Sequence, residues 1–276
     1  MTYQINYAYT CHMGKVRRNN EDNFWCCGDL LPASNNGMEE IHTGTCPREK
    51  LPTLAVFDGM GGESQGEMAA YLASSTLGQF YQDRKRQLRR NPELFLQEAC
   101  QMMNTSVCDY EARNRISSMG TTMALISFGR EEIHICNLGD SKIYELENGR
   151  LTQISKDHVL GSYRFGKAPL TQFLGVKEEE MHLEPSVDMR EYQDGKKFLL
   201  CSDGVTDMLS DDEIEKILRQ DQRPDVLVAQ LLERVLEKGA RDNTTIILCE
   251  IWQERHLLRG LFGQIQNRKR SEGDVK

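Results

Sequence analysis

Five times along this chain an acidic residue sits at the edge of a β-rich run, beside glycine, asparagine or a second acid. The blocks are "RRNNEDNF" (17–24), "VFDGMGG" (56–62), "LGDSKIY" (138–144), "CSDGVTD" (201–207) and "ARDNTT" (240–245). Taken singly, each is an ordinary turn, because Asp and Asn cap turns and glycine supplies the left-handed position. Taken together they constrain the fold. Carboxylates gathered at strand ends repel one another and lose hydration, so the arrangement needs a compensating cation. Hard oxygen donors with few thiolates or imidazoles nearby select Mg2+ or Mn2+ over zinc. The second block is the most telling, since four of the eight residues after Asp58 are glycine. Glycine permits close backbone approach, so main-chain oxygens can crowd around something small.

The rest of the chain reads as strands and helices punctuated by Gly and Pro. Residues 54–57, 122–128, 132–146, 196–203 and 244–251 are short β-rich runs bounded by turn residues. Helical spacing covers Gln65 to Tyr81 and the stretch after Asn91-Pro92, where an N-cap asparagine precedes a proline at the first helical position. Ser210 to Glu213 has the capping-box pattern, and "DVLVAQLLERVLEK" is amphipathic. There is no steady βαβ alternation, which predicts an α+β domain of antiparallel sheets covered by helices.

The 276 residues, 39% apolar and 28% charged, suffice for a large single core. A formal charge of −8, with no concentrated basic run evident, argues against a nucleic-acid partner. The opening "MTYQINYAYT" lacks a basic region followed by an apolar stretch, and no eighteen apolar residues run together. The expectation is a cytoplasmic protein without a transmembrane segment. Nine cysteines, scattered and without a C-x-x-C pair, are expected as reduced, mostly small core residues. Residues 28–53 are polar and turn-rich and read as a surface loop within a domain spanning 1–253. The tail, 254–276, places Leu257, Leu258, Leu261, Phe262 and Ile265 on a helical stripe among basic residues. It reads as a short amphipathic helix docking on its own domain, in preference to a membrane-surface or partner-binding helix, followed by disorder.

In order and spacing, the five acidic blocks, with "MGTT" (119–122), resemble the signature motifs of the metal-dependent serine/threonine protein phosphatases, the type 2C family, in its bacterial form. The resemblance spans about residues 10–251. It implies an α-β-β-α sandwich of two antiparallel β-sheets flanked by helices, with a binuclear metal centre at one end holding two or three Mn2+ or Mg2+ ions. By this resemblance Asp58 is the carboxylate that bridges two metals, and the backbone carbonyl of Gly59 is a ligand to one of them. Asp203 and Asp242 match positions that ligate the other metal. Glu21 matches a position that holds metal through water, Asp22 stands behind the ligands, and Asp140 matches a position serving a third metal. Arg17 matches the arginine that grips the substrate phosphate, and a guanidinium fork suits that anion. The implied reaction is hydrolysis of phosphoserine and phosphothreonine by direct attack of a metal-bridging hydroxide, with no covalent phosphoenzyme. The implied partners are phosphorylated proteins and the bacterial Ser/Thr kinase that the enzyme opposes, and the expected state is a monomer.

Two departures from the family's pattern stand out. Met60 occupies a position where many members carry histidine, and a thioether cannot donate a proton to a leaving group. Between "DH" (157–158) and "LTQFLG" (170–175) only "VLGSYRFGKAP" remains of a usually longer flap. Its Tyr163, Arg164, Phe165 and Lys167 are candidates to touch a phosphopeptide. Two other readings are a catalytically silent binding scaffold, which the complete set of Asp58, Asp203 and Asp242 disfavours, and a phosphatase acting on an anti-sigma-factor antagonist. Ser202 and the cysteines suggest a nucleophile, but no Cys/His pair or G-x-S-x-G elbow accompanies them.

Overall fold

The strand-like runs hydrogen-bond into two antiparallel sheets in the computed structural model, which describes residues 2–61, 65–161 and 168–253. The first sheet runs, in spatial order, β3 (His42–Pro47), β1 (Tyr3–His12), β12 (Thr244–Gln253), β11 (Lys197–Cys201), β8 (Lys142–Glu147) and β9 (Arg150–Gln153). The second runs β10 (Ser186–Glu191), β7 (Glu132–Leu138), β6 (Met123–Phe128), β4 (Thr53–Gly61) and β2 (Asp22–Cys26), with the short β5 (Met119–Thr121) paired to the end of β4.

Alternation of side chains along these strands builds three layers of apolar contact. Tyr9, Phe24, Val56, Ile126, Phe198 and Ile247 fill the space between the sheets. Ala55, Phe57, Leu125 and Cys136 face outward from the second sheet and meet Leu77 of α1 (Gly66–Arg90) and Phe95 and Met103 of α2 (Pro92–Asn114). Leu199, Ile246 and Leu248 face outward from the first and pack on α3 (Asp203–Thr206), α4 (Asp211–Leu218) and α5 (Pro224–Glu237). With helices on both outer faces, the central strands are buried on both sides. That is why "FLLC" and "TTIILC" read as continuous apolar runs rather than alternating ones.

Local chemistry sets the helix starts. The Asn91 side chain accepts from Leu94 N at 3.1 Å with Pro92 at the first position of α2, a cap worth about 1 kcal/mol. Ser210 and Glu213 close both halves of a capping box on α4. The first helix runs on past Tyr81 to Arg90, with a non-helical Arg84 inside it.

Three expectations need correction. Residues 28–53 are not all loop: His42–Pro47 forms β3, an edge strand paired with β1, and Arg48–Lys50 is one turn of 3-10 helix. The run 132–146 is two strands in different sheets, since the chain turns at Gly139, with φ +90, and crosses from β7 to β8. The run 196–203 ends as a strand at Cys201, and Asp203 is the first residue of α3. Tyr163, Arg164, Phe165, Lys167 and the tail 254–276 lie outside the described residues. No helix among the described residues is long and apolar enough to cross a membrane.

Candidate metal centre

Strand register collects the acidic blocks at one end of the sandwich. Asp22 stands directly opposite Asp58 across the β2–β4 pair. The start of β12 lies against His12 at the end of β1, and Cys201 at the end of β11 lies against Lys142 at the start of β8. Asp22 and Asp58 therefore lie on the second sheet, with Glu21 just before β2; Asp203 and Asp242 adjoin strands of the first, after β11 and before β12, and Asp140 lies in the crossover between the sheets.

The glycines beside these acids are there because nothing larger fits. A Cβ on Gly59 would lie 2.1 Å from Gly66 O and 2.5 Å from Glu21 O, and one on Gly204 would lie 1.9 Å from Asn243 O. Gly59 N also donates to Glu21 O at 3.1 Å, so β4, the loop before β2 and the first turn of α1 meet backbone to backbone. Crowding of main-chain oxygens, expected from the glycine cluster, is what the fold does here. The β4 backbone is fixed in turn by hydroxyls. Thr122 Oγ1 accepts from Asp58 N at 3.0 Å and lies 2.7 Å from Ser141 Oγ, coupling the strand of Asp58 to the turn of Asp140.

Arg17 forks onto Asp242, with Nε 2.8 Å from Oδ1 and Nη2 donating to Oδ2 at 2.8 Å, and its Nη1 lies 3.9 Å from Glu21 Oε2. The pairing with Asp242 first, and then the charges of Glu21 and Asp58, hold the guanidinium more firmly charged than usual, against the cost of burial. One arginine thus senses three of the acids. Its side chain remains 42% exposed, within reach of a substrate.

Asp22 has a different setting. It is fully buried, and its Oδ2 accepts from Ser202 Oγ and Thr245 Oγ1, both at 2.7 Å. Burial first, and then the charges of Asp203 and Asp242, push its carboxyl up to about 7, with the two hydroxyls pulling the other way. Glu21 is also raised, chiefly by burial. Ser202 is thereby committed to Asp22, and burial pushes the Cys201 thiol up to about 12, so neither is a poised nucleophile.

One organising residue escaped the sequence reading. Asn243 is 3% exposed; its Oδ1 accepts from Glu21 N at 2.8 Å, and its Nδ2 donates to Met13 O at 2.8 Å and Asn19 O at 2.9 Å. It staples the loop carrying Arg17 and Glu21 to the segment carrying Asp242. The only available signal was its place in "ARDNTT", next to the acid.

The donor set suits a hard, hydrated dication. The acids brought to this end offer oxygen donors, and burial is the chief cause that raises the carboxyls of Asp22 and Glu21, a cost that a nearby cation would offset. Among the described residues no three Asp, Glu, His or Cys side chains close around one point as a metal cage. Hard oxygen donors suit Mg2+ or Mn2+, which take one or two carboxylates and keep several waters.

Comparison with known proteins agrees with this geometry. The family model for protein phosphatase 2C matches residues 41–244, which include Asp58, Asp140, Asp203 and Asp242. The chain is 29% identical over 91% of its length to serine/threonine protein phosphatase PstP of Mycobacterium tuberculosis, and spans 46% of that protein. It is 28% identical over 86% of its length to serine/threonine phosphatase stp of Listeria innocua, covering 92% of it. The crystal structure of the PstP catalytic domain in complex with two manganese ions superposes with a TM-score of 0.73 at 27% identity, covering 91% of this chain and all of that one. A match over most of the chain, on a fold with the acids at one end, places this protein in the protein phosphatase 2C family.

Proposed function

We propose that this chain is a metal-dependent protein serine/threonine phosphatase that hydrolyses phosphoserine and phosphothreonine. The observation that carries the reading is the meeting of acids from both sheets at one end of the sandwich, beside a forked, partly exposed arginine. In this reading Asp58, the Gly59 carbonyl, Asp203 and Asp242 hold two Mn2+ or Mg2+ ions, Glu21 acts through water, and Asp140 serves a third ion. Such ions supply Lewis acidity toward phosphoryl oxygens and water acidic enough to act as a nucleophile near neutral pH.

The chain's own residues do the rest. The fork of Arg17, seated on two carboxylate oxygens of Asp242, equally accommodates two phosphoryl oxygens and so captures and orients the phosphate. Asp22, fastened by Ser202 and Thr245, backs the centre behind Asp203 and Asp242. Met60 offers no proton, so the departing alkoxide takes one from water or from another group. The partners are phosphoproteins in the cytoplasm, with a Ser/Thr kinase as the opposing activity.

Phosphate release from a phosphothreonine peptide tests this. Turnover is expected with Mn2+ or Mg2+, to vanish with chelator, and to fall to near background in Asp58→Asn. Full turnover in chelator overturns the metal reading, and no turnover with either ion favours the silent scaffold.

A further inference from the structure

The loop before β2 is fastened on both sides and bare at its tip. Gly14, with φ +85, turns the chain where a Cβ would lie 2.5 Å from Asp242 O and 2.8 Å from Ala240 O. Lys15 N donates to Ala240 O at 2.8 Å, and Lys15 Nζ donates to Leu236 O at 2.8 Å. On the other side, Asn19 O accepts from Asn243 Nδ2 at 2.9 Å, and Asn20 Nδ2 donates to Asn35 Oδ1 at 2.7 Å. Between these anchors stand Val16, Arg17 and Arg18, all exposed. Val16, at 64%, is the most exposed large apolar side chain among the described residues.

Arg17 is seated on Asp242, but Arg18 is seated on nothing. Its guanidinium has no ion-pair or hydrogen-bond partner among the described residues, and the same holds for exposed Arg241, the residue before Asp242. An unpartnered arginine therefore stands next in sequence to each member of the Arg17–Asp242 fork. The chain has more acids than cations, 42 against 34, and exposed arginines elsewhere find them: Arg219, Arg223 and Arg234 meet carboxylates at 3.5, 2.6 and 3.4 Å. The acids nearest the tip are engaged. Asp242 holds Arg17, and Glu21 and Glu67 accept from the Asn19 amide at 3.3 and 3.4 Å.

Beside an acidic centre, such arginines have an electrostatic use. Gathered carboxylates repel an acidic peptide, so a phosphoresidue flanked by acids approaches only if other cations answer those charges. An extended peptide advances about 3.3–3.6 Å per residue, close to the roughly 3.8 Å that separates the Cα atoms of Arg17 and Arg18. With the phosphate on Arg17, a side chain one or two positions away falls within reach of a long arginine beside it. The anchors hold the tip in place before the peptide arrives, so little ordering is needed on binding.

We propose that Arg18 and Arg241 form a subsite for an anionic group, an acidic side chain or a second phosphate, within two residues of the phosphoresidue to be hydrolysed. The inference rests on the phosphatase reading and on Arg17 as the phosphate grip. It makes acidic or multiply phosphorylated segments the preferred substrates and disfavours phosphosites set among lysines and arginines. A peptide lying across the tip also covers Val16.

Kinetics on a set of phosphothreonine peptides with Mn2+ test it. The peptides differ at one position, from two before to two after the phosphothreonine, filled by Ala, Glu, Lys or phosphotyrosine, and mass spectrometry follows loss of the threonine phosphate. At the best position and low salt, kcat/KM for Glu should exceed that for Ala on the order of tenfold, at roughly threefold per arginine, with Lys below Ala. The spread should narrow near 1 M salt, where the screening length is about 3 Å. Phosphotyrosine ahead of Glu assigns the subsite to a second phosphate, and the reverse order assigns it to a carboxylate. Arg18→Ala/Arg241→Ala should level the series, and Arg18→Glu/Arg241→Glu should put Lys ahead of Glu. Each ratio is taken within one variant, so a loss of folded enzyme cancels. Turnover without discrimination between Glu and Lys, or a preference that survives both double substitutions, overturns the subsite and leaves the phosphatase reading standing. No turnover of any peptide, the Ala one included, overturns the phosphatase reading and the subsite with it.

Discussion

Asn243→Ala is the sharpest test of how the candidate centre is held together. The substitution removes one acceptor and two donors from a site that is 3% exposed, leaving Glu21 N, Met13 O and Asn19 O without the partners they now have at 2.8, 2.8 and 2.9 Å. A buried polar group stripped of its partner costs about 1–3 kcal/mol. Water entering the vacated volume recovers part of this, so the expected loss for three groups is about 3–4 kcal/mol. For a domain of this size each kcal/mol moves Tm by about 2–4 °C, so the melt should fall by roughly 6–16 °C. Asn243→Asp keeps the acceptor for Glu21 N but turns a carboxylate toward two carbonyls, and should be no better than alanine. Thermal and urea melts give the stability. Phosphopeptide kinetics at a temperature where the variant stays folded give the second readout, in which KM should rise because the loop bearing Arg17 and Glu21 is no longer tied to the segment of Asp242. A melt within about 1 °C of wild type, or lowered stability with unchanged KM, would refute the idea that this amide aligns the site.

Other outcomes follow from the same geometry. Arg17→Ala should lower kcat/KM by about 2–3 kcal/mol while Tm hardly moves, because the ion pair with Asp242 is partly exposed and contributes little to stability; Arg17→Lys should not restore the activity, since an ammonium cannot fork. A variant that melts early with normal kinetics per folded molecule would make Arg17 structural. Across a series of aryl phosphates kcat should depend steeply on leaving-group pKa, and Met60→His should flatten that dependence, because an imidazole there supplies the proton that the thioether cannot. A flat dependence in wild type, with chemistry rate-limiting, would reveal another donor. Burial holds His134 below its ordinary 6.5 despite the opposing charges of Glu132 and Glu93. It is therefore neutral when folded, the unfolded chain binds the extra proton, and stability declines as pH drops below about 6.5. His134→Gln should flatten that slope in urea melts between about pH 5 and 7, and an unchanged slope would assign the proton elsewhere.

What the sequence disclosed and what it withheld divide along a physical line. The acidic blocks were legible because glycine and aspartate at a strand end are local signals, and the helix starts at Asn91 and Ser210 were legible for the same reason. The hub at Asn243 was not, since its partners Met13 and Asn19 lie more than 220 residues away in sequence and are backbone groups that any residue carries. The pairing of Ser202 with Asp22, across 180 residues, was equally hidden, and it turns an apparent nucleophile candidate into a brace. The edge strand His42–Pro47 carries too little apolar alternation to announce itself, because one of its sides faces solvent and it leans on a single neighbour. The basic run at 83–90 was masked by the net charge, a sum that says nothing about where charges sit.

The division of the acids between the two sheets has a thermodynamic consequence. Asp58 lies on a strand of one sheet, while Asp203 and Asp242 flank strands of the other. On the proposed reading, a dication shared among them would be a reversible cross-link between the halves of the sandwich. Its binding free energy adds to folding by mass action, about 2.7 kcal/mol when the free ion stands at a hundred times its Kd. Divalent-metal supply would then set the lifetime of the folded chain as well as its proposed turnover, and scarcity of the ion would thin the folded population before any inhibitor is needed.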